Sequence, residues 1–194
     1  MISIRFASED DAEDLLSIYS YYVENTAISF EWDVPSEEEF RERIRTTLRL
    51  FPYIVAYDGS SLAGYAYASA FNHRKAYEWC AETSIYVRKD SRKQGIGKML
   101  YLSLEKILSR QGIRRLYACI AYSETAQKEL DSNSYCFHKA LGYREVGQFP
   151  CCGYKFGKWF DMVWMEKDIA AGASSIPSDM VPFPEIRCEY PDFS

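Results

Sequence analysis

The chain has 194 residues, enough for one domain with a sizeable core. Hydrophobic residues make up 47% and charged residues 26%, the balance of an ordinary globular protein and not of a disordered one. A net charge of −5 argues against a general nucleic-acid binder, and no apolar run approaches the roughly 20 residues of a membrane helix.

The opening "MISIRFASEDD" lacks the charged-then-apolar layout of a signal peptide, so a cytoplasmic location is expected. The six cysteines (Cys80, Cys119, Cys136, Cys151, Cys152 and Cys188) include no C-x-x-C pair, and only His73 and His138 could join them as soft ligands. No metal site is expected, and the thiols read as reduced and mostly buried or incidental.

In chain order, "ISIRFAS" reads as a strand. Ser8 then caps the helix "DDAEDLLSIYSYYVENT", whose first turn is acidic. A second helix, "PSEEEFRERIRTTLRL", opens on Ser36 with Glu39 three residues on, a capping box. "YIVAYD" and "LAGYAYASAF" form a hairpin across "GSS", and "AETSIYVRK" is a further strand. "GIGKMLYLSLEKILSRQG" carries Ile96, Leu100, Leu104 and Ile107 on one stripe flanked by Met99 and Leu108, and Gly112 ends it. The strand "RRLYACIAY" and the short helix "NSYCFHKALGY" follow. "REVGQF" and "DMVWMEKDI" finish as strands around a Gly- and aromatic-rich hairpin. Helices that interrupt strands irregularly suggest a mixed α/β (α+β) sandwich, a single domain over residues 1–169. Residues 170–194, with four prolines and no periodicity, read as an extended or disordered tail that could pack on the body through Phe183, Tyr190 and Phe193.

The segment "RKQGIG" combines three features. Gly95 and Gly97 let backbone approach a ligand, a helix begins behind them with unpaired amides, and Arg92, Lys93 and Lys98 add charge. That combination fits an anion site, most naturally for a pyrophosphate, although a plain strand-to-helix turn is also open. The spacing matches neither a P-loop nor a dinucleotide fingerprint.

R-x-x-G-x-G between a strand and an amphipathic helix resembles the acetyl-CoA loop of the GCN5-related N-acetyltransferases (GNAT). "AYEWCAETSIYVRKDSRKQGIGKMLY", "NSYCFHKALGYREVGQF" and "CCGYKFGKWFDMVW" are similar to the phosphinothricin acetyltransferase branch of that family. The resemblance covers residues 1 to about 169, and it implies the GNAT fold and acetyl-CoA as co-substrate, held by Arg92, Lys93, Gln94, Gly95, Ile96, Gly97 and Lys98. It also implies that the preceding strand splays from its neighbour, leaving amides at Ile85, Tyr86 and Val87 for the thioester and pantetheine.

Acetyl transfer to an amine needs a base, donors for the carbonyl and an acid for the thiolate. Strand alternation puts Glu82, Ser84 and Tyr86 on one face, and a carboxylate opening an otherwise apolar strand is either a solvated strand end or a tuned base. The resemblance implies the base. It makes His138 a candidate general acid or substrate-orienting group, with a structural role the other reading. Phe30 as an apolar wall, Arg74 as an anion partner and Tyr86 beside the base match the acceptor pocket of the branch. The branch commonly has an asparagine where this chain has Asp131, so Asn133 and Ser134 are named for the pantetheine or phosphate arm.

The expectation is thus acetyl transfer to the α-amino group of a small amino-acid-like acceptor, such as phosphinothricin or methionine sulfone or sulfoximine. It proceeds directly with Glu82 as base, in a homodimer whose Tyr-rich first helix has apolar residues to spare. The alternatives are a peptide or protein N-terminal acetyltransferase and a non-catalytic acetyl-CoA-binding module.

Overall fold

The computed structural model describes residues 2–125, 128–130, 132–171 and 176–191. Its strands are β1 (Ile2–Phe6), β2 (Tyr53–Asp58), β3 (Ser61–Ala70), β4 (Cys80–Val87), β5 (Arg115–Tyr122), β6 (Arg144–Lys155) and β7 (Lys158–Asp168). Its helices are α1 (Ala12–Asn25), α2 (Glu37–Leu48), α3 (Ile96–Arg110), α4 (Asn133–Ala140) and α5 (Phe183–Ile186). The strands make one sheet in the order β1-β2-β3-β4-β5-β7-β6, antiparallel except where β5 runs parallel to β4.

Alternation along β2 shows how the sheet is covered. Tyr53 and Val55 pack with α1 and α2, while Ile54 and Ala56 pack with α3. The α3 stripe is buried as its spacing predicts, but Met99 at its flank is exposed. Ser36 caps α2 through the Glu39 amide at 3.2 Å.

The structure differs from the sequence reading in three places. β6 and β7 run on through "CCGYK" and "KWF" to a two-residue turn at Phe156 and Gly157, both at positive φ, the geometry that matches strand twist in a tight hairpin. The cysteines are mostly exposed, with only Cys80 half-buried, because five sit on outward or cleft positions. In the tail, residues 176–191 pack on the body through Phe183 and Tyr190, as the sequence reading allowed, but by way of helix α5 and not an extended path. Phe183 is buried edge-on against Phe6 at 4.8 Å, Trp79 Nε1 donates to the Ser178 carbonyl at 2.7 Å, and Gln111 Nε2 donates to the Val181 carbonyl at 2.9 Å. Phe193 lies outside the described residues.

Lys155 ties distant parts together. Its buried ammonium donates to the carbonyls of Val23 (2.7 Å), Thr26 (3.0 Å) and Ser29 (2.7 Å), so β6 caps the C-terminal end of α1 and fixes the chain leading to Phe30. Burial lowers its pKa, and the carbonyls supply the partners a buried ammonium requires.

Phe183→Ala is expected to cost about 3–5 kcal/mol, a large part of a typical domain's stability. Urea denaturation checks this, and a loss under about 1 kcal/mol would mean that the tail is not part of the core.

Candidate active site

The site begins where two strands part. β4 pairs with β5 only at Cys80, Ala81 and Glu82, the last opposite Tyr117. Beyond that rung β4 stays paired to β3 as far as Val87, and β5 stays paired to β7 as far as Tyr122. The sheet therefore opens as a V directly after Glu82. This is the splay that the resemblance implied.

A cleft of about 470 Å³ runs from this V to the start of α3. All the cofactor-binding residues named from the sequence line it, except Tyr86 and Gln94. The Tyr86 ring turns away against Tyr19 and Tyr22, each at 5.1 Å. Gln94 donates to the Asp90 carbonyl at 3.2 Å. The sequence reading missed Tyr22 and Phe137. Phe137 lies one helical turn from Ser134, a spacing that could have disclosed it, but Tyr22 reaches the cleft from 65 residues away.

The glycine loop has the features of an anion cradle. Gly95 adopts φ +84° with nothing within 4 Å of a built Cβ, so backbone is bare there. At Gly97 a Cβ would sit 3.2 Å from the Phe137 ring, tighter than ordinary contact, and 3.5 Å from Ile85, so glycine lets the helix start close against α4. No acidic side chain occupies the first turn of α3, and no side chain caps its free amides. Arg92 stacks over Tyr22 at 5.1 Å, and its buried Nη2 has no hydrogen-bond partner. A buried guanidinium nitrogen without an acceptor fits a site whose anion comes from a ligand.

The amide of Val87, expected to be free, is engaged. Its N–H donates to the Tyr22 hydroxyl at 3.1 Å, and that hydroxyl donates to the Val87 carbonyl at 2.5 Å. With β5 splayed away, the strand edge takes a side chain as partner.

Glu82 is half-buried, and desolvation holds its carboxyl above the ordinary carboxylate range. His138 is buried and lies outside the cleft lining. Its Nδ1 lies 2.7 Å from the Ser134 carbonyl, which only accepts, so Nδ1 carries the proton. Nε2 then accepts from the Tyr101 hydroxyl at 2.9 Å. Burial lowers the His138 pKa to about 4, so the ring is neutral at pH 7.

Of the residues named for the acceptor, Phe30 packs on the β6 bulge, where a Cβ at Gly153 would lie 2.5 Å from its ring. Arg74 is exposed on the β3–β4 connection, its amide bonded to Asn72. Asn133 and Ser134 face the cleft from α4, while Asp131 lies outside the described residues. No three His, Cys, Asp or Glu side chains gather to hold a metal among the described residues, and none of their helices is long and apolar enough to cross a membrane.

Residues 4–164 match the acetyltransferase (GNAT) domain family. The chain belongs to the GNAT family of N-acetyltransferases. It is 32% identical to a phosphinothricin N-acetyltransferase of Alcaligenes faecalis over 90% of this chain and 86% of that one. It is 31% identical to an L-methionine sulfoximine/L-methionine sulfone acetyltransferase of Pseudomonas aeruginosa, covering 86% of this chain and 94% of that one. A phosphinothricin acetyltransferase from Sinorhizobium meliloti, solved with AcCoA, superposes with a TM-score of 0.83 at 33% identity, over 91% of this chain and 93% of that one.

The His138 site has a pH consequence. The unfolded chain protonates this ring near pH 6.5 and the folded chain near pH 4, so stability falls as pH drops through that window. His138→Gln is expected to flatten this slope in chemical denaturation between pH 6.5 and 4, and an unchanged slope would place the titration elsewhere.

Proposed function

We propose that the protein transfers the acetyl group of acetyl-CoA to the α-amino group of a small amino-acid-like acceptor of the phosphinothricin or methionine sulfone and sulfoximine type. The observation that carries this reading is the placement of a desolvated carboxylate, Glu82, on the last paired rung before the V, three residues before Ile85, the first β4 residue to line the cleft that ends in the anion cradle. The pyrophosphate of the co-substrate would lie on the amides of Gly97 and Lys98 with Arg92 beside it, and the pantetheine would follow the free edge of β4. When bound, acetyl-CoA supplies the thioester that the amine attacks.

Glu82 takes a proton from the acceptor ammonium, and its raised pKa makes it a stronger base than a surface carboxylate. The neutral amine forms the new C–N bond, the C–S bond breaks, the nitrogen gives up its surplus second proton to solvent, and the thiolate leaves into the open cleft, where solvent protonates it. His138 has no proton to give there, because its N–H is held by Ser134 and its other nitrogen faces Tyr101. Its part in this scheme is to hold α4 against α3. Arg74 would take the acceptor carboxylate, with Phe30 as an apolar wall.

A homodimer and a cytoplasmic location belong to the same reading. The Tyr-rich first helix does not supply the dimer surface, since Tyr19 and Tyr22 are buried in the protein's own core. Val146, Phe149, Tyr154 and Trp159 are instead exposed along β6 and β7, and β6 is an edge strand. Exposed unpaired thiols suit a reducing compartment.

Thiol release from acetyl-CoA with a panel of amino acids, phosphinothricin, methionine sulfone and short peptides tests the reaction. Release with a small amino-acid analogue, reduced at least about 100-fold in Glu82→Gln, is expected. Release with peptides alone would favour an N-terminal acetyltransferase. Tight acetyl-CoA binding with no release would favour a binding module. Because desolvation disfavours the charged form of Glu82, the same variant should be more stable at pH 7, and an unchanged or lower denaturation midpoint would count against that cost. Sedimentation at micromolar concentration is expected to give a dimer that Trp159→Arg dissociates, and a native monomer would remove that claim.

A further inference from the structure

A second cavity, of about 460 Å³, lies between α2 and the face of the sheet that carries Glu82. It is not part of the cleft described above. Its walls are aromatic, with Tyr53 stacked on Tyr67 at 4.8 Å and on Tyr65 at 5.7 Å, and Phe40 opposite. The volume is that of a small-molecule pocket.

Two links tie this cavity to the proposed acceptor site. Tyr67 pairs in register with Ser84, which makes it the diagonal neighbour of Glu82 on the same face, and such neighbours lie about 7–8 Å apart. Glu31 forms another wall and directly follows Phe30. An acceptor whose amine rests at Glu82 therefore has its side chain within reach of the aromatic walls.

The cavity also has a defined chemistry. Tyr65 is fully buried, and its hydroxyl has no hydrogen-bond partner, the kind of polar group that folding normally satisfies. Around the mouth stand Glu31, Glu39 and Glu42 with a single cation, Arg43. Arg43 is already bonded to Glu31 at 2.8 Å and to Glu39 at 2.6 Å. The excess of carboxylates repels an anionic side chain, and the locked guanidinium is not available to receive one.

We infer that this cavity is the side-chain subsite of the acceptor, and that it selects an uncharged, mainly apolar side chain ending in a hydrogen-bonding group. A sulfone, sulfoximine or carboxamide meets that description, and a phosphinate or carboxylate does not. The inference rests on the reading of Glu82 as the base.

The test pairs kinetics with binding. For the native protein, kcat/KM is expected to be at least about tenfold higher with methionine sulfone than with anionic phosphinothricin. Tyr65→Phe, which removes only the hydroxyl, should lower the ratio of kcat/KM for methionine sulfone over that for norleucine about tenfold. Thr47→Phe, which fills the cavity, should lower the ratio for methionine sulfone over alanine by at least as much. Equal ratios in native protein and both variants, or a preference for phosphinothricin, would overturn the subsite while leaving the acetyltransferase reading intact. Calorimetry of methionine sulfone with the CoA-loaded protein covers the other failure. Binding that Thr47→Phe abolishes, without turnover of any acceptor, would keep the cavity as a ligand site and remove Glu82 as the base. No binding and no turnover would overturn the subsite as well.

Discussion

The arrangement depends on a hydrogen-bond ladder that stops early. β4 and β5 share three rungs and then separate, although each remains in the sheet through its other neighbour. Breaking a parallel ladder inside a domain exposes backbone donors and acceptors that need partners. The protein answers with side chains from helices. Tyr22 spans both polar atoms of Val87, donating to its carbonyl and accepting from its amide. The gap is thus built, with its walls held apart by packing among Phe137, Gly97 and Ile85.

Charge is distributed to match. The chain is acidic as a whole, yet the loop before α3 concentrates Arg92, Lys93 and Lys98 at a helix start with no acid in its first turn. A local field of this kind is compatible with any net charge, because exposed charges more than about 10 Å away are largely screened. Glu82 and His138 show the other regime, in which burial and not a neighbouring charge moves the pKa. The carboxyl becomes more basic and the imidazole less so, which separates a group suited to taking a proton from one that stays neutral.

What the sequence disclosed was local. The glycine loop, the Ser36 cap and the α3 stripe each lie within one turn or one helix, and periodicity reads such features directly. The opening of the sheet after Glu82 followed only from family resemblance, since no local pattern encodes where two strands 35 residues apart stop pairing. Tyr22 and Lys155 were illegible for the same reason. Their partners lie 65 and more than 120 residues away. Composition misled in the tail, where prolines masked helix α5 and the burial of Ile186, and at the cysteines, whose usual burial does not hold for the five exposed ones.

The ammonium cage of Lys155 also bears on how the chain reaches this state. The contacts to Val23, Thr26 and Ser29 close loops of 126 to 132 residues, which places them among the most non-local in the molecule. Loop-closure entropy delays such contacts until the intervening sheet exists. The turn that carries Phe30 therefore depends on contacts that exist only with the β6–β7 hairpin docked. The segment that carries Phe30 is thus tied to the hairpin by non-local contacts, while the glycine loop leads into α3, whose hydrogen bonds close locally.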